Sequence, residues 1–377
     1  MRLRIIVKLA VVLSVILFCI GIGFYGFARL SETSDYESAD LLDFVPGDSY
    51  GLFEADNIDY FMHGFSEMAY ASQLDTLQRT DLVADVLSDL NRYSFTADHG
   101  LSTQMNHLLL SFHSPDRPGV VAYFHGGKEV KRQLVEAIRD KYHVSFVPKK
   151  ETYRGEKIEV YPISPAKYLS IFSKSGVLVV SYQKRLVEEV IDAEKDGTSL
   201  RKNAVFSSLH QSKSVNHMSI YGRTASLPFL ADGSLDYWSE FDVHLNSEVF
   251  YLSGAMYAPD SCMRSVVRRL ENIETVSVKD SLLILSGPSK VDSCISRVIA
   301  SPFHSLFDEC TANLSRDASY IMVADMDMLV RDSKKYTPYL PAFVSRHPDL
   351  FRPFILSVQI TRMKNRLSHI FVFTYKE

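Results

Sequence analysis

The sequence predicts an α+β protein of pseudo-repeated, mostly antiparallel sheets with packed helices, preceded by one transmembrane helix. Three observations carry this prediction. Strand-like and helix-like runs follow one another without the regular alternation that a doubly wound parallel sheet needs. Short segments recur in the same order along the chain, the mark of internal repetition. An uncharged apolar stretch from Leu9 to Ala28 is long enough to cross a bilayer.

At a rise of 1.5 Å per residue that stretch spans about 30 Å, the thickness of bilayer hydrocarbon. Arg2, Arg4 and Lys8 precede it, whereas Arg29 is followed by Glu32, Asp35, Glu37, Asp40 and Asp43. The positive-inside rule then predicts a cytoplasmic N-terminus (1–8), an anchor (9–28) and an acidic, polar tether (29–43), with the bulk of the chain periplasmic. A cleaved signal peptide would carry a shorter apolar run and a better cleavage site than Gly26-Phe27-Ala28. Bulky Phe18 before Cys19 disfavours a lipoprotein signal. The expected location is the inner membrane, single-pass.

The composition of the whole chain is that of a folded protein, with 46% hydrophobic, 23% charged and 12% aromatic residues. A formal net charge of -4 gives no basic excess, so no broad attraction to nucleic acid or anionic lipid is implied. After the turn Val45-Pro46-Gly47-Asp48, Tyr50 to Ala55 reads as a strand, and Ile58 to Leu90 carries helical spacing. His107 to His113 and Val120 to His125 read as a hairpin whose connection holds Pro115 and Pro118. Lys128 to Tyr142 has apolar residues at 130, 134, 135 and 138, one face of a helix. Strands follow up to Tyr182, and then a helix from Arg185 to Glu194.

The recurrences are these. Val177 to Ser181 (VLVVS) aligns with Leu282 to Ser286 (LLILS), and Arg185-Leu186 falls over Lys290-Val291. Phe206 to Leu209 matches Phe303 to Leu306, and Asp48 to Asp56 matches Asp317 to Asp325. A helical stretch and then a hairpin follow the second pair, the later hairpin being Phe354 to Thr361 with Leu367 to Tyr375. A middle copy runs from His217 to Tyr221 through Trp238 to Leu245 and Val249 to Tyr257. The predicted modules are 44–210, 211–312 and a partial third, 313–377, which completes the fold; a groove between copies is where a ligand would go.

Two fragments suggest a serine esterase. His125-Gly126-Gly127 resembles an oxyanion segment, and Gly47-Asp48-Ser49-Tyr50-Gly51 matches G-x-S-x-G. That mechanism needs the serine on a turn from strand into helix, with the oxyanion segment earlier in the chain. Here Ser49 leads into a strand and His125 follows it, so a turn serine and a strand end are the preferred readings. His107, His113 and His125 allow a two-histidine metal site on the hairpin, but no third ligand stands at recognisable spacing, and solvated histidines are preferred. Asp48, Asp56, Asp317 and Asp325 read as turn residues and helix N-caps. Cys262 and Cys294 each follow an Asp-Ser pair at the opening of an expected helix, and either a Cys262–Cys294 bridge or two core thiols fits. No zincin, P-loop or dinucleotide fingerprint is present in the sequence, and no cofactor or catalytic residue is assigned.

The run Phe44 to Ser49 (FVPGDS) with Glu54 to Asn57 (EADN) carries a resemblance. So do Gly176 to Ser181 (GVLVVS) with Leu200 and Phe206 downstream, and Gln359-Ile360-Thr361 before a strand ending at Tyr375-Lys376. In these patterns the chain resembles the singly anchored envelope proteins of Bacteroidetes classed as a domain of unknown function. The resemblance implies a cell-envelope location and a repeated α+β body, and carries no catalytic residues. The expected function is non-enzymatic: an anchored scaffold or assembly factor contacting other envelope proteins. An apolar-ligand carrier and, more weakly, a serine hydrolase are the alternatives.

Overall fold

A computed structural model describes residues 39–57, 68–69, 107–113, 119–142, 147–164, 167–210, 218–231, 237–341, 344–345 and 348–376. The proposed anchor and the helical run from Ile58 to Leu90 lie outside the described residues, Met68 and Ala69 apart. Among the described residues no helix is long and apolar enough to cross a membrane.

The strands join into one fifteen-stranded sheet in which every pairing is antiparallel. In chain order the first seven strands are β1 (Gly51–Ala55), β2 (Leu108–Phe112), β3 (Val120–His125), β4 (Lys149–Tyr153), β5 (Glu156–Ser164), β6 (Lys167–Lys174) and β7 (Val177–Ser181). The remainder are β8 (Met218–Gly222), β9 (Trp238–Leu245), β10 (Val249–Tyr257), β11 (Val276–Val278), β12 (Leu282–Ser286), β13 (Tyr320–Asp325), β14 (Phe354–Arg362) and β15 (Arg366–Tyr375). Their spatial order is β11-β12-β13-β14-β15-β10-β9-β8-β1-β2-β3-β7-β6-β5-β4. The sequence predicts sheets in the plural; backbone pairing carries one sheet across all of them, because β1 takes β2 on one edge and β8 on the other.

Helices cover both faces. On one lie α1 (Lys128–Tyr142), α4 (Asp260–Glu271), α7 (Met326–Arg331) and the short α8 (Ser333–Tyr336); on the other lie α2 (Lys184–Asp196), α3 (Ala204–Leu209), α5 (Pro288–Ile299) and α6 (Leu306–Ala312). Side chains alternate across a strand, so each strand feeds two cores. In β1, Leu52 enters the core under α2 and α3, while Ala55 enters the one under α1. In β13, Tyr320, Met322 and Ala324 face α4 and α7, whereas Ile321 and Val323 face α5 and α6. Trp238 anchors the α3 core, 1% exposed, with the Phe206 ring 5.0 Å away and Phe206 in turn 5.4 Å from Tyr221.

Turn chemistry fixes register at two hairpins. Arg154-Gly155 and Ser175-Gly176 both carry positive φ, the conformation that two-residue hairpin turns require. Arg154 also ties the β4–β5 turn to α2 through Asp192 and Asp196, each at 2.8 Å. Asp325 caps α7, accepting from Asp327 N at 2.9 Å. Helix α5 begins at Pro288 after Gly287, whose φ is 99°, so Asp292-Ser293-Cys294 falls inside that helix and does not open it as expected.

Gly254 has a different role. In register it lies beside His369 of β15, and the rings of His369 and Phe241, from the strands on either side, stack at 4.5 Å. His369 Nε2 hydrogen-bonds Glu240 O at 2.7 Å. A Cβ on residue 254 would stand 2.0 Å from Glu240 O and 3.3 Å from His369 Nε2. Both obstacles belong to interior strands that cannot move independently. Gly254→Ala is therefore expected to lower unfolding stability by about 3 kcal/mol or more, as severe overpacking does. Urea unfolding checks this, and a loss under about 1 kcal/mol would show that β9 yields.

Candidate functional site

Four polar side chains from distant parts of the chain meet at one end of the β1–β3 ladder: Glu54, His107, His125 and His210. Glu54 lies between Leu109 of β2 and Ser219 of β8, on the face that carries Leu52. That face is apolar nearby, so the carboxyl is only 7% exposed. His107 immediately precedes β2, and His125 ends β3 on the same face. His210 follows α3, stacked on Phe206 at 5.3 Å. One Glu54 oxygen is 3.1 Å from His210 Nε2, and the other is 3.6 Å from His107 Nε2. The His107 and His125 rings are 5.7 Å apart. Burial, and next the neighbouring His107, hold the His125 pKa below the ordinary histidine range.

A carboxylate withdrawn from water needs partners, and His210 supplies a hydrogen bond while His107 stands close by. His107 Nε2 and His125 Nδ1 are themselves buried without a hydrogen-bond partner. Chemically the cluster can hold a proton between a carboxylate and an imidazole. Among the described residues no group of three or more His, Cys, Asp or Glu is arranged to hold a metal.

Of the three histidines the hairpin pattern singles out, His107 and His125 come together, but His113 does not join them. It lies past the opposite end of β2, with Nε2 2.8 Å from Ser111 Oγ, which is 3.0 Å from the Tyr123 hydroxyl. Burial depresses the His113 pKa to about 4, against the weaker opposing effect of Asp48. Ser49 is at that same far end: it is fully buried, and its hydroxyl donates to Pro46 O at 2.7 Å. The register pairs Gly51 with Phe112 and Phe112 with Val120, but Ala55 with Leu108 and Leu108 with Phe124. Ser49 and His125 are therefore separated by about the length of a five-residue strand, roughly 17 Å, and form no catalytic pair.

Cys262 packs in the core beneath α4, and Cys294 in the one beneath α5, on opposite faces of the sheet. Both are free thiols, as is Cys310.

Neither Glu54 nor His210 is among the candidate site residues that the sequence offers. A signal for Glu54 exists: a charge at an inward position beside Leu52 in a short central strand. His210 has none, since its neighbours in space come from residues 54, 206 and 221.

Fold and site define an α+β protein with one large antiparallel sheet and a half-enclosed Glu–His cluster. No protein-family model and no curated protein matches the sequence. Among solved structures the chain is similar to the one described as crystal form III of TP0453. Identity is 8% and the TM-score 0.32, with 64% of this chain and 91% of that chain covered. A likeness so remote assigns neither family nor function.

Two predictions follow from these geometries. Glu54→Ala removes the hydrogen-bond partner of the His210 imidazole and should cost about 1–3 kcal/mol. In a double-mutant cycle with His210→Ala the losses should fall short of additivity by at least about 0.5 kcal/mol, read from urea unfolding; strict additivity would show that the pair does not interact. The second concerns pH. His113 and His369 have folded-state pKa values near 4, both lowered chiefly by burial, against 6.5 as the ordinary value. Between those values the unfolded chain binds protons that the folded one does not, so stability is complete above pH 6.5 and is lost as pH falls toward 4. Each group contributes a slope of up to about 1.4 kcal/mol per pH unit. Urea midpoints at near-neutral and mildly acid pH should diverge less in His113→Asn than in the parent.

Proposed function

We propose that the protein is a non-enzymatic, membrane-anchored envelope protein that works by contact with other envelope proteins. In this reading residues 9–28 hold it in the inner membrane by a single pass, with the bulk of the chain periplasmic. The observation that carries the reading is the single sheet. Fifteen strands spaced about 4.8 Å apart make a platform of roughly 65–70 Å along its contour. On the face covered by α2, α3, α5 and α6 the helices leave a half-exposed strip over β10 and β15, where Tyr251, Ser253, Ile370 and Val372 stand side by side in register. Leu41 and Leu42 are buried in the core under α2 and α3, so the tether that begins at residue 29 ends before them, and a flexible coil of about ten residues reaches only some 15–20 Å, which favours partners close to the membrane.

Three ladders, β1-β2-β3, β8-β9-β10 and β13-β14-β15, share the order of single strand, connection and hairpin. This supports a pseudo-repeated body with modules 44–210, 211–312 and 313–377. The separation of Ser49 from His125 weakens the hydrolase alternative. Polar linings weaken the apolar carrier: a cavity of about 510 Å³ is bordered by Asp48, Glu189, Asp192, Lys202, Asn203 and Arg223, among others.

The test is quantitative capture of tagged full-length protein from gently solubilised native membranes. An envelope protein should be recovered in near-stoichiometric amount, and the double change Ile370→Arg/Val372→Arg should remove it while leaving the urea midpoint unchanged. Recovery of the protein alone, in repeated captures, would overturn the contact reading.

A further inference from the structure

We propose that the cavity between α5 and the edge strand β11 is a binding site for an anionic, phosphate-bearing ligand. The cavity holds about 540 Å³. The strands contribute Ser277, Leu283 and Leu285, with Thr275 just before β11; the helix contributes Ser289, Lys290, Ser293, Cys294 and Arg297. The site therefore presents two cations and four hydroxyls above a floor of two leucines, and no carboxylate lines it.

The helix sorts its charges to produce this. Val291 and Ile295 are buried in the core beneath α5 and fix its rotation. Ser289, Ser293 and Arg297 recur at intervals of four, with Lys290 and Cys294 alongside, so they form one stripe. Asp292, the helix's own acid, lies on the other flank, 3.7 Å from Arg316, which also reaches Ser296. Lys290 and Arg297 thus have no neutralising partner on their own helix.

Several other cations beside strands and helices are matched: Lys174 by Glu156 and Glu194, Lys184 by Glu151 and Glu188, Lys376 by Asp325. Lys290 and Arg297 form no ion pair with a described residue, and the four hydroxyls make no hydrogen bond with one. Like charges drawn to one concavity repel unless a counter-charge joins them, and hydroxyl donors around them suit the several acceptor oxygens of a phosphate group. The leucine floor favours a ligand with a short apolar portion beside that group. The edge position of β11 leaves the cavity open along one side. A free phosphate ester and a phospholipid headgroup share this chemistry.

Cys294 provides a site-specific reporter, and Cys262, equally half-buried on the opposite face of the sheet, provides its internal control. Full-length protein in a nonionic detergent is alkylated with a maleimide, and both thiols are followed by peptide mass spectrometry. The probes are inorganic phosphate, dihexanoyl phosphatidylglycerol and dihexanoyl phosphatidylcholine. A probe that occupies the site at about ten times its Kd should slow Cys294 roughly tenfold, since only the free protein reacts, and leave Cys262 unchanged. Protection by inorganic phosphate identifies a free phosphate group as sufficient; protection by the phosphatidylglycerol alone identifies the lipid headgroup as the source. Lys290→Ala/Arg297→Ala, both at exposed helix positions, should abolish protection without moving the urea midpoint. No protection by any probe, or protection that survives the double substitution, overturns the proposal.

Discussion

The structure depends on one pairing constraint: β1, the earliest strand, must be hydrogen-bonded on both edges at once. Buried backbone N–H and C=O groups are costly to leave unpaired, and an interior strand has no water to fall back on. Its five residues pair with β2 on one side and with β8 on the other. Through that strand the sheet of the first 210 residues becomes continuous with everything after it. The aromatic group of Trp238, Phe206 and Tyr221 packs across the junction and draws on β9, α3 and β8. Glu54 sits on the same strand, so the polar cluster is positioned by the junction as well.

Much of the fold is legible in the sequence because local signals agree with it. Val120 to His125, Lys128 to Tyr142, Trp238 to Leu245 and Val249 to Tyr257 have in the structure the limits that periodicity predicts. Turn residues with the conformational freedom to reverse the chain mark their ends. Sheet order is not legible. Nothing in β10 indicates that it pairs with β15, across more than a hundred residues, and not with its sequence neighbour β11. Pairing of that kind is decided by which faces are left uncovered once helices have docked.

The candidate site is legible only in part, for the same reason. His107 and His125 are neighbours on a hairpin, and hairpin register is a local property. Glu54 reaches them by way of β2, and His210 by way of α3 packing on β9 and β10, so their meeting depends on long-range order. The short esterase-like fragments fail in the opposite sense. Their residue types are suitable, but an antiparallel ladder of five pairs keeps Ser49 and His125 at its two ends. Cys262 and Cys294 show the same limit: each has a helical context, and the sheet divides them.

The strand order carries a consequence for assembly during synthesis. β13, β14 and β15 are inserted between β12 and β10, so β10, made earlier, has no partner on that edge until the final strand is in place, and β14 waits for the same strand on its own free edge. Residues 366–375 therefore act as a keystone and not as a trailing end. A chain emerging N-terminus first can complete β1 to β7 as it arrives, yet it exposes two open sheet edges until those residues follow. Open edges invite pairing with other chains, so synthesis halted shortly before β15 would yield a product prone to aggregate despite carrying most of the hydrophobic core.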